Sequence, residues 1–246
     1  MLENFENKII CEDCFQAMAK IPDHSVDMIL CDLPYGVTTQ NKWDVILPFD
    51  QLWSNYKRIA KVNAAIVLTA TQPFASQLIV SNPKMFRYDL IWEKNKVRGF
   101  LNANKMPLRS HESILVFYSK LPAYNPQKTT GHKPVNSYTK HSTDGSNYGK
   151  TKTGISGGGQ TDRFPTSVIK IPVVNNDSKE KFHPTQKPVV LFEYLIKTYT
   201  NSGDIVLDNC IGSGTTAVAC VNTGRRFIGI DADEKYCEIA KSRLMV

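Results

Sequence analysis

Residues 205 to 216 read IVLDNCIGSGTT: a strand-forming run that ends on Asp208, a loop holding Gly212 and Gly214, and a helix that opens at Thr215. Glycine at those two positions lets the main chain approach a ligand closely and turn sharply into the helix, whose first amides then face that ligand. Tight turns use the same residues, so the loop by itself leaves a plain structural turn open. A second strand follows in GRRFIGID, whose Asp231 lies 23 residues beyond Asp208. A carboxylate at that spacing can accept both hydrogen bonds of a ribose diol. The third glycine of a dinucleotide fingerprint is missing, because Thr215 and Thr216 follow Gly214 directly. Asp208, placed ahead of the glycines, would repel a pyrophosphate but suits a cationic amino-acid moiety. The expected ligand carries a ribose and an ammonium group, and S-adenosylmethionine fits it better than NAD.

Outward from this loop, short β-branched runs alternate with amphipathic stretches. Strands are expected at 8–11, 26–31, 64–70, 88–92, 114–118, 205–208 and 227–231, and helices at 14–19, 51–59, 73–80, 189–198, 215–222 and 234–244. Pro188 is expected in the first turn of its helix, and Asp233 as the cap of the last one. The alternation implies a doubly wound, mostly parallel α/β sheet of Rossmann-like type, with ligands at the carboxyl ends of its strands. No internal repeat is visible.

The chain has 246 residues, a formal net charge of +7 and a pI near 9.0, with 41% apolar and 10% aromatic residues. That suffices for one large domain, or one domain with an insertion, and excludes disordered and fibrous classes. No apolar run approaches the roughly 20 residues of a membrane span. The start, MLENFENKIICED, lacks a basic flank followed by an apolar segment, so a cytoplasmic chain is expected. The six cysteines mostly sit in apolar runs. Cys11 and Cys14 form a C-x-x-C with no second pair at ligand spacing, so core packing is expected there and no metal.

The charge is concentrated. Residues 120–181 hold ten basic and four acidic side chains, a local excess of +6, together with half of the chain's 14 glycines and four aromatic residues. Such a stretch is either a solvated insertion or a surface for a polyanion. A second basic cluster, Lys94, Lys96, Arg98, Lys105 and Arg109, adds weight to a nucleic-acid partner.

Residues 26 to 36 read VDMILCDLPYG, an apolar strand running into Asp32, Leu33, Pro34 and Tyr35. With Pro34 stiffening the turn, the Asp32 carboxylate and the Leu33 carbonyl could converge on one point, with the flat face of Tyr35 beside it. Two acceptors and a stacking ring suit an exocyclic amino group on a planar base. A capping Asp and a packed Tyr would read the same way from the tetrapeptide alone.

At this point the sequence resembles a known family, the DNA amino-methyltransferases that act on adenine N6 or cytosine N4. The tetrapeptide is similar to their D-P-P-Y motif and DNCIGSGTT to their D-P-F-x-G-S-G-T-T cofactor loop. IICEDCFQAMAKIPDHSVDMILCD resembles the family's opening, where the resemblance implies that Asp13 contributes to the cofactor's adenine pocket. HPTQKP, residues 183–188, resembles the segment beside the cofactor's methionine end, which brings in His183 and Lys187. W-E-K-N at 92–95 and NANKMPLRSHESILVF at 102–117 resemble the stretch leading through the sheet's final hairpin.

The catalytic motif precedes the cofactor loop, the order of the family's beta class. The resemblance therefore implies a permuted methyltransferase fold: 1–119 as the catalytic half, 120–181 as a target-recognition insertion and 182–246 as the cofactor-binding half. Two departures stand out. Leu33 replaces the first Pro of the motif, at a position used through its carbonyl. Asn209-Cys210 replaces Pro-Phe, a change expected to lower cofactor affinity.

What the resemblance implies is methyl transfer from S-adenosyl-L-methionine to a base flipped out of duplex DNA. Asp32, Leu33, Pro34 and Tyr35 are the expected catalytic residues. Asp13, Asp32, His183, Lys187, Asp208, Gly212, Gly214, Thr215 and Asp231 are the expected cofactor site. Lys187 and the lysines of 120–181 would contact DNA or support that pocket. Adenine N6 is expected over cytosine N4, because the family's adenine members mostly begin the tetrapeptide with Asp and its cytosine members with Ser. C5-cytosine chemistry would need a Pro-Cys nucleophile, and Cys31 lies on the wrong side of Asp32. Methylation of RNA or of a protein glutamine goes with the opposite motif order. An inactive DNA-binding relative is the remaining alternative. Partners implied are duplex DNA and a second copy of the chain as a homodimer; a solitary methyltransferase and the modification partner of a separate restriction endonuclease are both compatible with the resemblance.

Overall fold

The computed structural model describes residues 2–37, 44–139, 154–175, 178, 182, 183 and 185–245. The chain forms two compact units, 1–125 with 167–246, and 126–166.

In the larger unit the chain runs through β1 (Lys8–Cys11), α1 (Cys14–Lys20), β2 (Val26–Cys31), α2 (Phe49–Ile59), β3 (Ala60–Ala70), α3 (Phe74–Ser81), β4 (Phe86–Arg98) and β5 (Arg109–Phe117). The smaller unit contributes β6 (Tyr138–Thr139) and β7 (Ser156–Gly157). The larger unit resumes with β8 (Val168–Lys170), α4 (Val189–Tyr199), β9 (Ile205–Asp208), α5 (Thr215–Thr223), β10 (Arg226–Asp231) and α6 (Glu234–Arg243).

One eight-stranded sheet has the order β1-β10-β9-β2-β3-β5-β4-β8. Neighbours from β1 to β3 are parallel, β5 runs antiparallel between β3 and β4, and β8 pairs parallel with β4. From β9 the chain moves to β10 on one side, and from β2 to β3 on the other. The crevice outside the carboxyl ends of β9 and β2 is therefore the switch point where an open α/β sheet binds its ligand.

Both faces are covered, so the central strands read as nearly continuous apolar runs. In β2, Met28 and Leu30 pack under α4, α5 and α6, whereas Ile29 and Cys31 pack under α1, α2 and α3. A register break between Val26 and Met28 puts Val26 on the second of these faces, out of simple alternation. Leu52, Trp53, Tyr56 and Ile59 form one stripe of α2 and are all buried. Arg58 leaves that stripe to donate to the Met18 and Ile21 carbonyls and to Asp23, tying the end of α1 to α2.

Several sequence expectations shift. Pro188 stands one residue ahead of the helix as its N-cap, with ψ 133 outside the helical range. Asp233 caps α6 as expected, accepting from Lys235 N at 2.9 Å. Cys14 is buried in the core, but Cys11 at the end of β1 is exposed, so the C-x-x-C pair does not pack as one. Strand β8 lies within the stretch set apart by composition, yet it pairs in parallel with β4, Val168 opposite Ile91 and Lys170 opposite Glu93.

The smaller unit is correspondingly narrower than 120–181. It is a ladder in which Thr129 bridges Arg163, Val135 N donates to Gln160 O at 3.0 Å, and β6 pairs antiparallel with β7. Lys128 pairs with Asp162 at 2.6 Å and lies 4.4 Å from the Phe164 ring centroid. Arg163 donates to the Gln160, Asp162 and Lys133 carbonyls. Lys140, Lys150, Lys152, Lys179 and Lys181 lie outside the described residues.

Candidate active site

A cavity of about 580 Å³ opens at the switch point, lined by residues from the ends of β2, β9 and β10, the loop before α1 and the segment before α4. Asp13, Asp32, Leu33, Pro34, Tyr35, His183, Lys187, Asp208, Gly212, Thr215 and Asp231 all reach it. Of the expected site residues only Gly214 does not line it. Gly214 acts one layer back as the N-cap of α5, with φ 84.

The tetrapeptide wall is a hydrogen-bonded cluster around one carboxylate. Asp32 Oδ1 accepts from the Tyr35 hydroxyl at 2.7 Å and from the Thr69 hydroxyl. Lys187 Nζ donates to Asp32 Oδ2 at 2.7 Å and lies 3.3 Å from Glu112 Oε2. Glu112 Oε1 in turn takes Lys94. The result is a chain of alternating charge, Asp32, Lys187, Glu112, Lys94, with Lys187, Glu112 and Lys94 largely buried. Burial alone would lower the Lys187 pKa, but the carboxylates of Asp32 and Glu112 outweigh it and hold the ammonium above the ordinary lysine value. Burial likewise opposes ionisation of Glu112, and its two lysines win, keeping it below the usual range. At Lys94 burial prevails and the pKa is lowered despite Glu112.

Tyr35 stacks on Phe74, centroids 5.2 Å apart at 29°, and the Lys187 ammonium lies 5.4 Å from its centroid. The ring is thus less open than the tetrapeptide suggested. Burial raises the Tyr35 pKa well above normal, so its hydroxyl stays protonated.

The glycine-loop wall is held by its own carboxylates. Asp208 Oδ1 accepts from Cys210 N at 3.0 Å, and its Oδ2 takes the Thr216 hydroxyl. Burial raises the Asp208 pKa to about 6, against those hydrogen bonds. Asp231 Oδ2 accepts from Gly212 N at 2.8 Å and its Oδ1 from Asp233 N at 3.0 Å, and burial raises its pKa too. The carboxylate still lines the cavity, with lone-pair capacity left for a ligand. Asp13, besides lining the cavity, caps α1 by accepting from Phe15 N and Gln16 N. His183 packs against Tyr236, with centroids 4.6 Å apart.

The departure at Asn209 has a structural answer. Asn209 is buried, and its Oδ1 accepts from the Tyr56 hydroxyl at 2.5 Å, so a side-chain bond to α2 anchors the loop where the resemblance led us to expect proline.

Sequence reasoning missed Thr69, Glu112, Phe74 and Tyr56. Thr69, Phe74 and Tyr56 stand in no quoted motif, and Glu112 lies in the family-like stretch 102–117 with no role of its own assigned there; each reaches the site through strand or helix pairing. Lys94, expected in the basic cluster that adds weight to a nucleic-acid partner, instead has a side chain only 7% exposed and turned inward to Glu112.

An amphipathic ligand fits this cavity. Carboxylates at Asp13, Asp208 and Asp231 suit ammonium and hydroxyl groups. At Gly212, where φ is 50, nothing but the Cys210 carbonyl, 4.0 Å away, lies near the place a Cβ would occupy, which leaves the main chain open to close approach.

The family model for DNA methylases of the N6/N4 type matches residues 26–242. The type II methyltransferase M.HpaI of Haemophilus parainfluenzae is 28% identical over 97% of this chain and 74% of its own length. M2.DpnII of Streptococcus pneumoniae, also a type II methyltransferase, is 27% identical over 97% of this chain and 90% of its own. Among solved structures, the M1.HpyAVI–SAM complex superposes with a TM-score of 0.66 at 24% identity, covering 97% of this chain and 99% of that one. The cytosine-N4-specific PvuII DNA methyltransferase superposes at 0.68 with 13% identity, covering 96% and 85%.

Proposed function

The chain belongs to the N6/N4 DNA methylase family, and from that premise we propose that it moves a methyl group from S-adenosyl-L-methionine to the N6 amino group of adenine in duplex DNA. The observation that carries this reading is the Asp32 carboxylate, set by Tyr35, Thr69 and Lys187 in the wall of the cavity that the Asp208 loop and Asp231 also line.

When bound, the cofactor supplies an electrophilic methyl group on a sulfonium. Asp13, Asp208, Gly212, Thr215 and Asp231 would hold it, with His183 and Lys187 at its other end. The protein's task is then to position the amine and stabilise charge. Three hydrogen bonds fix the Asp32 carboxylate, yet Oδ2 keeps one lone pair to accept an N–H from the target amine. The Leu33 carbonyl serves as second acceptor, a role indifferent to the missing proline. Together they turn the nitrogen lone pair toward the methyl group, and Asp32 offsets the positive charge that grows on nitrogen. Lys187, donating to its Oδ2, holds Asp32 in place. The base must leave the duplex to reach this depth, and Tyr35, braced by Phe74, is its stacking partner.

Cytosine N4 presents the same two N–H groups, and the PvuII enzyme is cytosine-specific, so this is the second reading. The type II methyltransferases among the relatives support a modification role beside a restriction endonuclease. Transfer of labelled methyl to unmethylated duplex DNA, with the modified base identified by mass, tests these readings. We expect N6-methyladenine, and Asp32→Ala to reduce transfer by at least about 10²-fold. Full activity in that variant would remove the catalytic assignment. No transfer by the wild type would favour an inactive DNA-binding relative.

A further inference from the structure

Strand β4 is antiparallel to β5, which is antiparallel to β3, so β4 ends at the same sheet edge as Asp32. The β4–β5 hairpin continues beyond that edge. After Glu93 and His111 the register breaks, and the next cross-strand partners are Arg98 and Arg109. Both are exposed, and neither has an ion pair among the described residues. Like charges set directly across a ladder repel, an arrangement relieved when one anion lies against both.

The tip between them is a hydrogen-bonded turn. Gly99 turns the chain with φ 95, Asn102 N donates to Gly99 O at 2.9 Å, and Met106 N donates to Asn102 O at 3.0 Å. This turn holds Leu101 99% exposed, Phe100 68% and Met106 58%, with Lys105 beside them. An apolar point between cationic shoulders matches a polymer that alternates phosphates with flat apolar faces. At the hairpin's base, Lys94 of β4 and Glu112 of β5 connect through Lys187 to Asp32, so whatever seats the hairpin is placed in register with the catalytic carboxylate.

We propose that this tip is a DNA-contact element distinct from residues 126–166. Arg98 and Arg109 take backbone phosphates, while Phe100 and Leu101 lie against the sugar and base edges next to the gap left by the extracted base. This rests on the methyltransferase reading above.

The test is the affinity of the full-length protein for unmethylated duplex DNA, by fluorescence anisotropy across about 50 to 200 mM salt. Each phosphate contact contributes about 0.9 to the log–log salt slope, so Arg98→Gln/Arg109→Gln should lower the slope by about 0.9 for a shared phosphate and about 1.8 for two. Phe100→Ser/Leu101→Ser should weaken binding severalfold with an unchanged slope. Cofactor affinity and thermal midpoint should not fall in either variant, which separates the effect from misfolding.

Unchanged slope and affinity in both variants, while the wild type still methylates DNA, overturns this inference alone. So does a change in sedimentation with DNA binding intact, which would give the tip to a second copy of the chain. A wild type that neither binds duplex nor transfers methyl defeats the enzymatic reading, and this inference with it.

Discussion

Asn209 stands at a position whose motif residue is proline, and the structure supplies rigidity there through the Tyr56 hydroxyl instead. Burial raises the Tyr56 pKa well above normal, so the donor is permanent. Tyr56→Phe should leave a buried carbonyl oxygen unpaired and cost about 1–3 kcal/mol in urea unfolding, with severalfold weaker cofactor binding by calorimetry. Asp208 makes a pH-dependent contribution. Its folded pKa of about 6 exceeds the model-peptide 3.8, so the folded state binds the proton more tightly, and stability falls as pH rises from about 4 to about 6. Two pH units correspond to about 3 kcal/mol at most. Asp208→Asn, which keeps an acceptor for Cys210 N, should be more stable than wild type at pH 8 by up to that amount. The advantage should vanish at pH 4, as read by denaturant midpoints at the two pH values.

The α5 entry and the β4–β5 hairpin show how elements carry the site. A Cβ on Gly214 would stand 2.9 Å from Ala240 Cβ on α6, in a left-handed backbone besides, whereas one on Gly212 would meet open space. Gly214→Ala should therefore cost about 2–4 kcal/mol of stability. Gly212→Ala should cost about 1–2 kcal/mol but weaken the cofactor more, because its methyl enters the cavity. In the hairpin, Glu112→Gln strands the buried Lys94 and should destabilise by about 3–5 kcal/mol, most of it recovered in Lys94→Met/Glu112→Gln. The alternation of apolar runs and helices was readable residue by residue, since periodicity is a local property. Thr69, Glu112 and Phe74 were not, because β3, β5 and α3 deliver them to Asp32 from 37 to 80 residues away in the chain. Strand β8 was also hidden. Three residues, VIK, carry no periodicity, and only an open edge on β4 makes them a strand.

At the scale of the molecule, the concentrated charge is less free than composition implied. Lys128 and Arg163 are spent inside the small unit, and Lys170 pairs with Glu93 at 3.3 Å. Duplex affinity should still fall steeply with salt. Replacing 126–166 by a short flexible linker should leave cofactor affinity within about twofold while discrimination between DNA sequences is lost, as measured by competition binding. The order of the sheet also has a biosynthetic consequence. Central strand β2 pairs Met28 with Val206 of β9, and among the described residues β1 pairs only with β10. A ribosome that has released β1 through β5 therefore displays β2 with one apolar edge bare and β1 with no partner at all. Such non-local pairing folds slowly, and bare edges recruit other chains. The half-made chain should therefore bind chaperones more than the full-length one, as read by pull-down of nascent chains stalled before and after residues 205–231 emerge.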